Sequence, residues 1–319
     1  MSIRLVLDVD TGTDDAVAIM LAALHPDLDL VAVTTVNGNV PVDRCTENSL
    51  RVLDHIGRGD IPVYEGAAEP LARRDFPVPR AERGISDVHG EYLDIPAAQS
   101  RKRVASAAIA LIETFAGVHG GAEEVVLVAT GPLTNVALAL KLDPRFGQRV
   151  SRLVIMGGGH EVPNVTASAE FNIWADPEAA HVVLNSSINE IVLVPLDATH
   201  RALISTEDCE RLRQLGTRAG EATARFVERR ITAYDASQPM ARTGAAPVHD
   251  ALCVAYLVAP DVISGARYCV DVETCGRVTV GRTVIDTHHR SGREANAWVA
   301  LDADEGKFRD LLLSTFAQR

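Results

Sequence analysis

Aromatic residues, paired cysteines, basic tracts and long apolar runs are all scarce in this chain of 319 residues. Aromatic side chains make up only 4% of the residues, so a ligand pocket built from several stacked tryptophans is not expected. The five cysteines are scattered without a CxxC pair, which argues against a disulfide framework and favours a reducing compartment. The longest apolar run, residues 16–24, is half of the roughly 18 residues that a membrane span needs, so no membrane partner is expected.

The charge balance is acidic. Lys and Arg total 31 against 43 Asp and Glu, which gives a formal net charge of −12. Because no basic tract is present to neutralise phosphates, a nucleic-acid partner is not expected. The chain enters an apolar run at Ile3 without a charged segment and an h-region, so no signal peptide is predicted. Together with the cysteine usage, this predicts a cytoplasmic protein.

Short apolar runs rich in β-branched residues alternate with segments of helical periodicity. Each run is too short for a helix and lacks a polar face, which is typical of strands covered on both sides. The predicted strands are residues 3–8, 30–36, 61–64, 125–129, 153–156 and 191–196, and the predicted helices are 15–24, 42–56, 104–118, 133–142 and 177–184. This alternation predicts a Rossmann-like α/β fold, in which helices flank a mostly parallel central sheet through right-handed crossovers.

The pattern becomes more helical after residue 200. The remaining predictions are helices at 207–215, 219–234, 249–258 and 304–316, a strand at 298–301, and a hairpin or edge strands at 266–286. No internal repeat, linker or shift in composition divides the chain, so residues 1–319 are predicted to form a single domain. Residues 69–97 form a long loop rich in proline and glycine, and loops of that length are usually functional.

Four carboxylates fall within eight residues where the first strand meets the first helix. Asp8 and Asp10 are two residues apart at a strand end, so they point to the same face. Gly12 permits a tight turn, and Asp14 and Asp15 then open a helix, whose positive dipole end stabilises anions. Such a cluster repels itself unless a cation or shared protons offset its charge. It lies at the carboxyl end of a parallel strand, where open α/β sheets bind ligands.

Several kinds of site compete for this cluster. An EF-hand loop is excluded because, counting from Asp8, positions six and twelve hold Thr13 and Ile19 instead of Gly and Glu. The phosphate-transferring aspartate of haloacid dehalogenases usually lies in D-x-D-G-T, a different order from this chain's D-V-D-T-G-T. A helix N-cap with solvated acids accounts for the second acid pair but leaves the strand-end pair unexplained. The remaining interpretation is a divalent-metal site with hard oxygen ligands, most simply for Ca²⁺ or Mg²⁺.

The D-x-D-x-x-x-D-D arrangement resembles the signature of the inosine–uridine preferring nucleoside hydrolases. Further segments are similar to this family's motifs and follow in the same order: Thr34-Thr35-Val36-Asn37-Gly38-Asn39, Ala129-Thr130-Gly131-Pro132-Leu133-Thr134-Asn135, Met156-Gly157-Gly158-Gly159, Glu170-Phe171-Asn172, Asp176-Pro177-Glu178-Ala179, Leu196-Asp197-Ala198-Thr199-His200 and Val248-His249-Asp250. The resemblance implies a fold of the nucleoside hydrolase type. It also implies hydrolysis of the N-glycosidic bond of a ribonucleoside to ribose and a free base, as in nucleoside salvage.

By similarity to the family, Asp10, Asp15 and Asp250 bind Ca²⁺ through their carboxylates and Thr130 binds it through its main-chain oxygen. Oxygen ligands from three separated segments are the kind that a hard cation prefers. The resemblance also implies that Asp10 is the general base for the attacking water held at the metal. Asp14 is expected to orient the ribose and that water.

The resemblance implies further residues for the sugar and the base. The ribose-binding residues in addition to Asp14 are Asn39, Asn164, Glu170, Asn172 and Met156, which packs under the sugar. His89 lies in a loop that closes over the base in the family. His249 is expected to protonate the leaving base, since an imidazole titrates near neutrality. Asp8 is expected to fix neighbours such as Asn39 rather than to touch the ion.

Two segments depart from the family's pattern, and both concern the base. The family loop often continues His-Gly-x-x-Gly-Leu-Gly, whereas this chain reads His89-Gly90-Glu91-Tyr92-Leu93-Asp94-Ile95. Residues 225–246 align loosely, and Tyr234 is the candidate base contact there. The preferred base therefore stays open, as do two other functions: hydrolysis of a modified riboside, and non-catalytic binding of calcium and a nucleoside. A homo-oligomer, either a dimer or a tetramer, is expected by resemblance alone.

Overall fold

The computed structural model describes residues 2–73, 88–117 and 124–318. The strands are β1 (Ile3–Val9), β2 (Leu28–Thr35), β3 (Val63–Glu65), β4 (Val125–Ala129), β5 (Arg152–Met156), β6 (Glu190–Val194), β7 (Leu203–Ser205), β8 (Ala245–Pro247), β9 (Ile263–Tyr268), β10 (Val270–Val272), β11 (Thr283–Ile285) and β12 (Ala297–Ala303). The α-helices are α1 (Thr13–Leu24), α2 (Val42–His55), α3 (Ala107–Ala116), α4 (Thr134–Leu142), α5 (Phe146–Arg149), α6 (Phe171–Ala175), α7 (Pro177–Leu184), α8 (Leu196–Thr199), α9 (Thr206–Gln214), α10 (Arg218–Ser237), α11 (His249–Val258) and α12 (Glu305–Phe316), and a 3-10 helix covers Pro260–Val262. Across these described ranges, no helix is both long enough and apolar enough to cross a membrane.

Eight of the described strands form a central sheet in the order β3-β2-β1-β4-β5-β6-β12-β9. Neighbouring strands are parallel from β3 to β12, and β9 is antiparallel to β12 at the edge. Two smaller antiparallel pairs, β7–β8 and β10–β11, lie outside this sheet. The predicted α/β fold with a mostly parallel sheet is confirmed.

Apolar cores cover both faces of the sheet. Within β1, Leu5 and Leu7 belong to the core that includes residues of α1, α10 and α11, whereas Val6 belongs to the core that includes residues of α3 and α4. Successive side chains of a strand point to opposite faces, so a strand covered on both sides has to be apolar throughout. This requirement explains the continuous apolar runs from which the strands were predicted.

The chain order of the sheet reverses at β1, which lies between β2 and β4. Asp8 is in register with Thr34 of β2 on one side and with Ala129 of β4 on the other. Ligands of open α/β sheets bind beyond the carboxyl ends of the strands at such a reversal. The segments that follow β1, β2 and β4 therefore meet at one edge of the sheet.

The structure differs from the sequence-based expectation mainly in short elements. The helix predicted at 104–118 begins only at Ala107, with Ser106 as its N-cap. The region 266–286 contains both of the predicted structures, since β9 is an edge strand of the sheet and β10 and β11 form a hairpin. The helices α6 and α8 and the β7–β8 pair were not predicted, because three to five residues are too few to show a period. Much of the predicted loop 69–97 lies outside the described residues.

Candidate active site

One cavity of about 1270 Å³ opens at the carboxyl edge of the central sheet. All the predicted site residues except Asp15 line it: Asp10, Asp14, Asn39, His89, Thr130, Met156, Asn164, Glu170, Asn172, His249 and Asp250. Asp15 is fully buried and contacts the lining residues Thr130 and Asn39. The structure therefore brings together residues from segments that are widely separated in the sequence.

The acidic cluster, by which we mean Asp10, Asp14, Asp15 and Asp250, forms where β1 turns into α1 and where α11 begins. Ligand oxygens of Asp14, Asp15 and Asp250 lie within 4.8 Å of one another. Asp15 is oriented by three donors: its Oδ2 accepts from the Gly12 N–H (2.9 Å) and the Asn39 amide (3.4 Å), and its Oδ1 accepts from the Thr130 hydroxyl (2.9 Å). The Oδ2 atom of Asp10 accepts from the Asn39 N–H at 2.7 Å.

Burial and mutual repulsion disfavour the ionised form of this cluster. Burial, followed by the charges of neighbouring carboxylates, raises the pKa of Asp10 and of Asp250 well above the ordinary value, and the same causes raise the pKa of Asp15 to about 7. A cation bound among the carboxylates removes this repulsion. Carboxylate oxygens and the Thr130 main-chain oxygen are hard donors, so the residues present fit a divalent cation such as Ca²⁺ or Mg²⁺.

Asp8 does not hold Asn39, and that expectation is wrong. Its Oδ1 accepts from the Thr34 hydroxyl (2.6 Å) and from the Asn135 amide (2.8 Å). Asn39 instead donates its N–H to Asp10 and its amide to Asp15, at 2.7 and 3.4 Å. The register of β1 with β2 explains the difference, because it places Thr34 directly beside Asp8. Asp8 is fully buried, and burial raises its pKa to about 6.

Three of the predicted ribose-binding residues, Met156, Glu170 and Asn172, are connected by hydrogen bonds at the end of β5 and after it. The Asn172 amide donates to the main-chain oxygens of Thr130 (2.7 Å) and Met156 (3.2 Å). Glu170 is the N-cap of α6, where its carboxylate accepts the N–H groups of Asn172 and Ile173, and it also accepts the Gly158 N–H. Burial raises the pKa of Glu170 to about 7 despite these bonds.

His249 begins α11, and hydroxyl groups contact both of its ring nitrogens. Its Nε2 lies 2.7 Å from the Tyr234 hydroxyl, and its Nδ1 lies 2.7 Å from the Thr199 hydroxyl. Burial, together with the charge of Arg230, lowers the pKa of His249 well below its ordinary value. The expectation that this imidazole titrates near neutrality is therefore wrong. Burial also raises the pKa of Tyr234, to about 12, so this hydroxyl keeps its proton.

His89 is neutral as well, and its tautomer follows from its contacts. The Thr13 N–H donates to His89 Nδ1 at 3.2 Å, so the ring proton of the neutral form is on Nε2. Burial lowers the pKa of His89 to about 4. The ring lines the cavity close to the turn at Gly12.

Arg230 was not among the predicted site residues. It lines the cavity from α10, is 1% exposed, and places its Nη1 atom 2.8 Å from Asp14 Oδ1. It lies four residues before Tyr234, on a helix face whose other buried residues include Phe226, Val227 and Ile231. An arginine on such an apolar helix face could have indicated a site residue from the sequence alone, because a buried guanidinium needs an acidic partner.

The sequence profile of the inosine-uridine preferring nucleoside hydrolases matches residues 5–310. The chain belongs to this family. Pyrimidine-specific ribonucleoside hydrolase RihA from Citrobacter koseri is 39% identical over 318 residues, which are 99% of each chain. The protein of the same name from Escherichia coli K12 is also 39% identical, over 98% of this chain and 97% of its own.

Solved structures of nucleoside hydrolases share the fold. The plant nucleoside hydrolase PpNRh1 matches with a TM-score of 0.89 at 28% identity, over the whole of both chains. The purine-preferring ribonucleoside hydrolase from Gardnerella vaginalis matches with a TM-score of 0.88 at 29% identity, over 98% of each chain. The expected fold type and enzyme class are thereby confirmed, and the protein is a nucleoside hydrolase.

Two glycines of this nucleoside hydrolase lie directly against side chains of the site. A methyl group on Gly38 would overlap the Asp10 carboxylate, and one on Gly12 would overlap His89. We expect both Gly38→Ala and Gly12→Ala to lower kcat/KM about 100-fold, since small misplacements of reacting groups are costly. Only Gly38→Ala is expected to weaken Ca²⁺ binding, by about 10- to 100-fold in calorimetric titrations. Equal Ca²⁺ affinities in the two variants would contradict this assignment of contacts.

Proposed function

We propose that this nucleoside hydrolase cleaves common ribonucleosides to ribose and a free base in a Ca²⁺-dependent reaction. The observation that carries the proposal is that one cavity is lined both by the acidic cluster and by the hydrogen-bonded pair Tyr234–His249. Hydrolysis of an N-glycosidic bond requires a deprotonated water at the sugar and a proton for the base that leaves. These two sets of residues can meet both requirements.

The Ca²⁺ ligands in this proposal are the carboxylates of Asp10, Asp15 and Asp250 and the main-chain oxygen of Thr130. When bound, Ca²⁺ offsets the charge of the cluster and favours the ionised form of a water close to it. The Asn172 amide, which donates to the Thr130 oxygen, holds this peptide group in place. Asn39 holds the carboxylates of Asp10 and Asp15 in place, because its N–H donates to the first and its amide to the second.

Asp10 is the general base in this reaction, and Asp14 orients the ribose and the water. Asp10 takes a proton from the water, whose oxygen then forms a bond to the anomeric carbon of the ribose. The bond between that carbon and the base nitrogen breaks, and its electron pair leaves with the base. The family resemblance and the position of Asp10 at the cavity wall support this role.

The leaving base receives its proton from Tyr234 and His249 acting as a pair. A neutral imidazole carries one protonated and one unprotonated nitrogen. In the proposed tautomer the Thr199 hydroxyl donates to Nδ1, and the Nε2–H of His249 points to the Tyr234 oxygen. The Tyr234 hydroxyl gives its proton to the base, and the Nε2–H of His249 stabilises the tyrosinate that remains. A proton from solvent restores Tyr234 after the products leave, while Asp10 releases the proton that it took from the water.

In this proposal Asn39, Asn164, Glu170 and Asn172 bind the sugar, Met156 packs under the ribose, and His89 lies over the base. Among the described residues, the cavity lining contains the aromatic residues Phe171 and Tyr234 and no tryptophan. We propose that pyrimidine ribonucleosides are preferred. The names of the 39% identical relatives support this preference.

Three further properties belong to the proposal: residues 1–319 form one domain, the enzyme acts in the cytoplasm, and it assembles as a homo-oligomer. These expectations rest on the sequence and on the family resemblance.

Release of reducing sugar from uridine, cytidine, inosine and adenosine tests the proposed reaction. We expect release with calcium present, fastest from the two pyrimidine nucleosides, and a loss of at least about 100-fold after chelation, because Ca²⁺ favours the ionised form of the water. Faster cleavage of inosine or adenosine would contradict the base preference alone. Activity that persists after chelation would contradict the metal requirement. A folded, calcium-binding chain that cleaves none of the four would favour a modified riboside, and tight nucleoside binding without turnover would favour a binding role.

A further inference from the structure

Arg230 is a buried cation beside the acidic cluster, and the mechanism proposed above assigns no role to it. Its side chain is 1% exposed and is the largest of the fully buried side chains in the described part of the molecule. A buried guanidinium is costly unless its charge and its N–H groups find partners. The partners of the Arg230 guanidinium therefore indicate which groups this residue positions.

These contacts join the two segments that carry the acidic cluster. Nη1 of Arg230 forms an ion pair with Asp14 Oδ1 at 2.8 Å and donates to the Thr13 hydroxyl at 3.2 Å. Its Nε donates to the main-chain oxygen of Pro247 at 2.8 Å. Pro247 ends β8, two residues before His249 begins α11. The guanidinium thus ties the first turn of α1 to the segment that leads into His249 and Asp250.

Arg230 also distinguishes Asp14 from its neighbours. Asp14, Asp15 and Asp250 have ligand oxygens within 4.8 Å of one another, so distance alone would let all three bind one cation. The guanidinium engages an oxygen of Asp14, whereas Asp15 accepts from Gly12 and Thr130. An oxygen paired with a guanidinium at 2.8 Å is a weakened ligand for a second cation.

We propose that Arg230 is a positioning residue that reserves Asp14 for the substrate by keeping its carboxylate out of the metal's coordination. This inference rests on the proposed function, since it assumes a cation held by Asp10, Asp15 and Asp250. Without the guanidinium, Asp14 turns toward the cation and the ribose loses an oriented partner. The metal then binds more tightly while catalysis becomes slower, a combination that general loss of structure does not produce.

Arg230→Met and Arg230→Lys test the proposal, with Arg149→Met as the matched control. Arg149 is a partly buried arginine paired with a carboxylate, Asp143, but it lies in α5 before β5, away from the carboxyl edge of the sheet. Calcium chloride is titrated by calorimetry into each chelator-treated protein. The kcat for uridine and the melting temperature are measured on the same preparations.

For Arg230→Met we expect Ca²⁺ affinity to rise about 10-fold, because the cluster loses a compensating positive charge and gains one free ligand. Its kcat is expected to fall about 100-fold. Arg230→Lys keeps the charge but not the planar donor geometry, so we expect an affinity within about threefold of wild type and a kcat reduced about 10-fold. Arg149→Met is expected to keep both values within about twofold, as its pair lies outside the site.

Unchanged or weaker Ca²⁺ binding by folded Arg230→Met would overturn the proposal, and so would a kcat within twofold of wild type. If Arg230→Met does not fold, Arg230→Lys decides: wild-type kcat in that variant would overturn the proposal, and a reduced kcat with unchanged affinity would support it. A wild-type protein that releases no ribose would instead contradict the proposed function. The Ca²⁺ titrations would still compare the variants in that case.

Discussion

Asp10→Asn is expected to lower kcat for ribose release by about 1000-fold or more while the chain stays folded. A general base contributes about 100- to 10,000-fold, and an amide cannot take the proton of the water. Asn keeps the shape of Asp10 and can still accept the Asn39 N–H, which now donates to Asp10 Oδ2 at 2.7 Å. The substitution also removes one ionisable group from a buried cluster, in which burial and then repulsion from Asp15 raise the pKa of Asp10 well above its ordinary value.

The melting temperature of the metal-free variant separates loss of chemistry from loss of structure. We expect it to equal or exceed that of metal-free wild type, because a destabilising buried charge is gone. Asp43→Asn is the matched control, since Asp43 is exposed in the first turn of α2 and outside the cavity. This control is expected to keep full activity. If Asp10→Asn retained more than a tenth of wild-type kcat, Asp10 would not be the base.

Most of the fold is readable from the sequence because it depends on local patterns. The helices α7 and α11 begin and end at the predicted residues, Pro177–Leu184 and His249–Val258. For α7 the reason is visible in the structure, where Asp176 accepts the Ala179 N–H as N-cap and Pro177 occupies the first turn. The predicted strands 125–129 and 153–156 are apolar throughout and lie inside the sheet, where both faces are covered.

The meeting of the predicted residues at one cavity could be foreseen from the sequence, but their contacts could not. Strand ends of a parallel sheet meet at one edge, so the motifs after β1, β2 and β4 had to lie close together. Which side chains touch depends on register and on distant segments. Arg230 contacts Thr13 across 217 residues of sequence, and no spacing rule reaches that far. The depressed pKa of His249 likewise depends on its burial, which a neighbouring motif does not reveal.

The free energy of unfolding is expected to depend strongly on pH because of Asp8. Burial raises its pKa from 3.8 to about 6, although Thr34 and Asn135 donate to it. The folded chain therefore holds this proton more tightly than the unfolded chain does. The stabilising contribution of protonated Asp8 is fully present below pH 4. It is lost as pH rises through the folded pKa of about 6. A shift of this size corresponds to about 3 kcal/mol in full.

The side chain of the Asp8→Asn variant does not titrate, so comparing the variant with wild type isolates the contribution of Asp8 to the pH dependence of stability. In urea unfolding with a chelator present, we expect the variant to gain about 2–3 kcal/mol relative to wild type between pH 4 and pH 7.5. The comparison is a difference between two pH values, so a constant cost of burying the new amide cancels. The same subtraction removes the contributions of His89, His200 and His249, whose lowered pKa values act with the opposite sign in both proteins.

Asp286→Asn is the control for the direction of this effect. The N–H groups of Arg290 and Ser291 donate to Asp286 and lower its pKa to about 2. Its stabilising contribution therefore appears as pH rises through 2 to 4 and is constant above pH 5. We expect Asp286→Asn to keep a constant difference from wild type between pH 5 and pH 7.5, where that of Asp8→Asn still grows. A constant difference for Asp8→Asn over the same interval would mean that Asp8 ionises normally in the folded chain, and that the fold places no constraint on its charge.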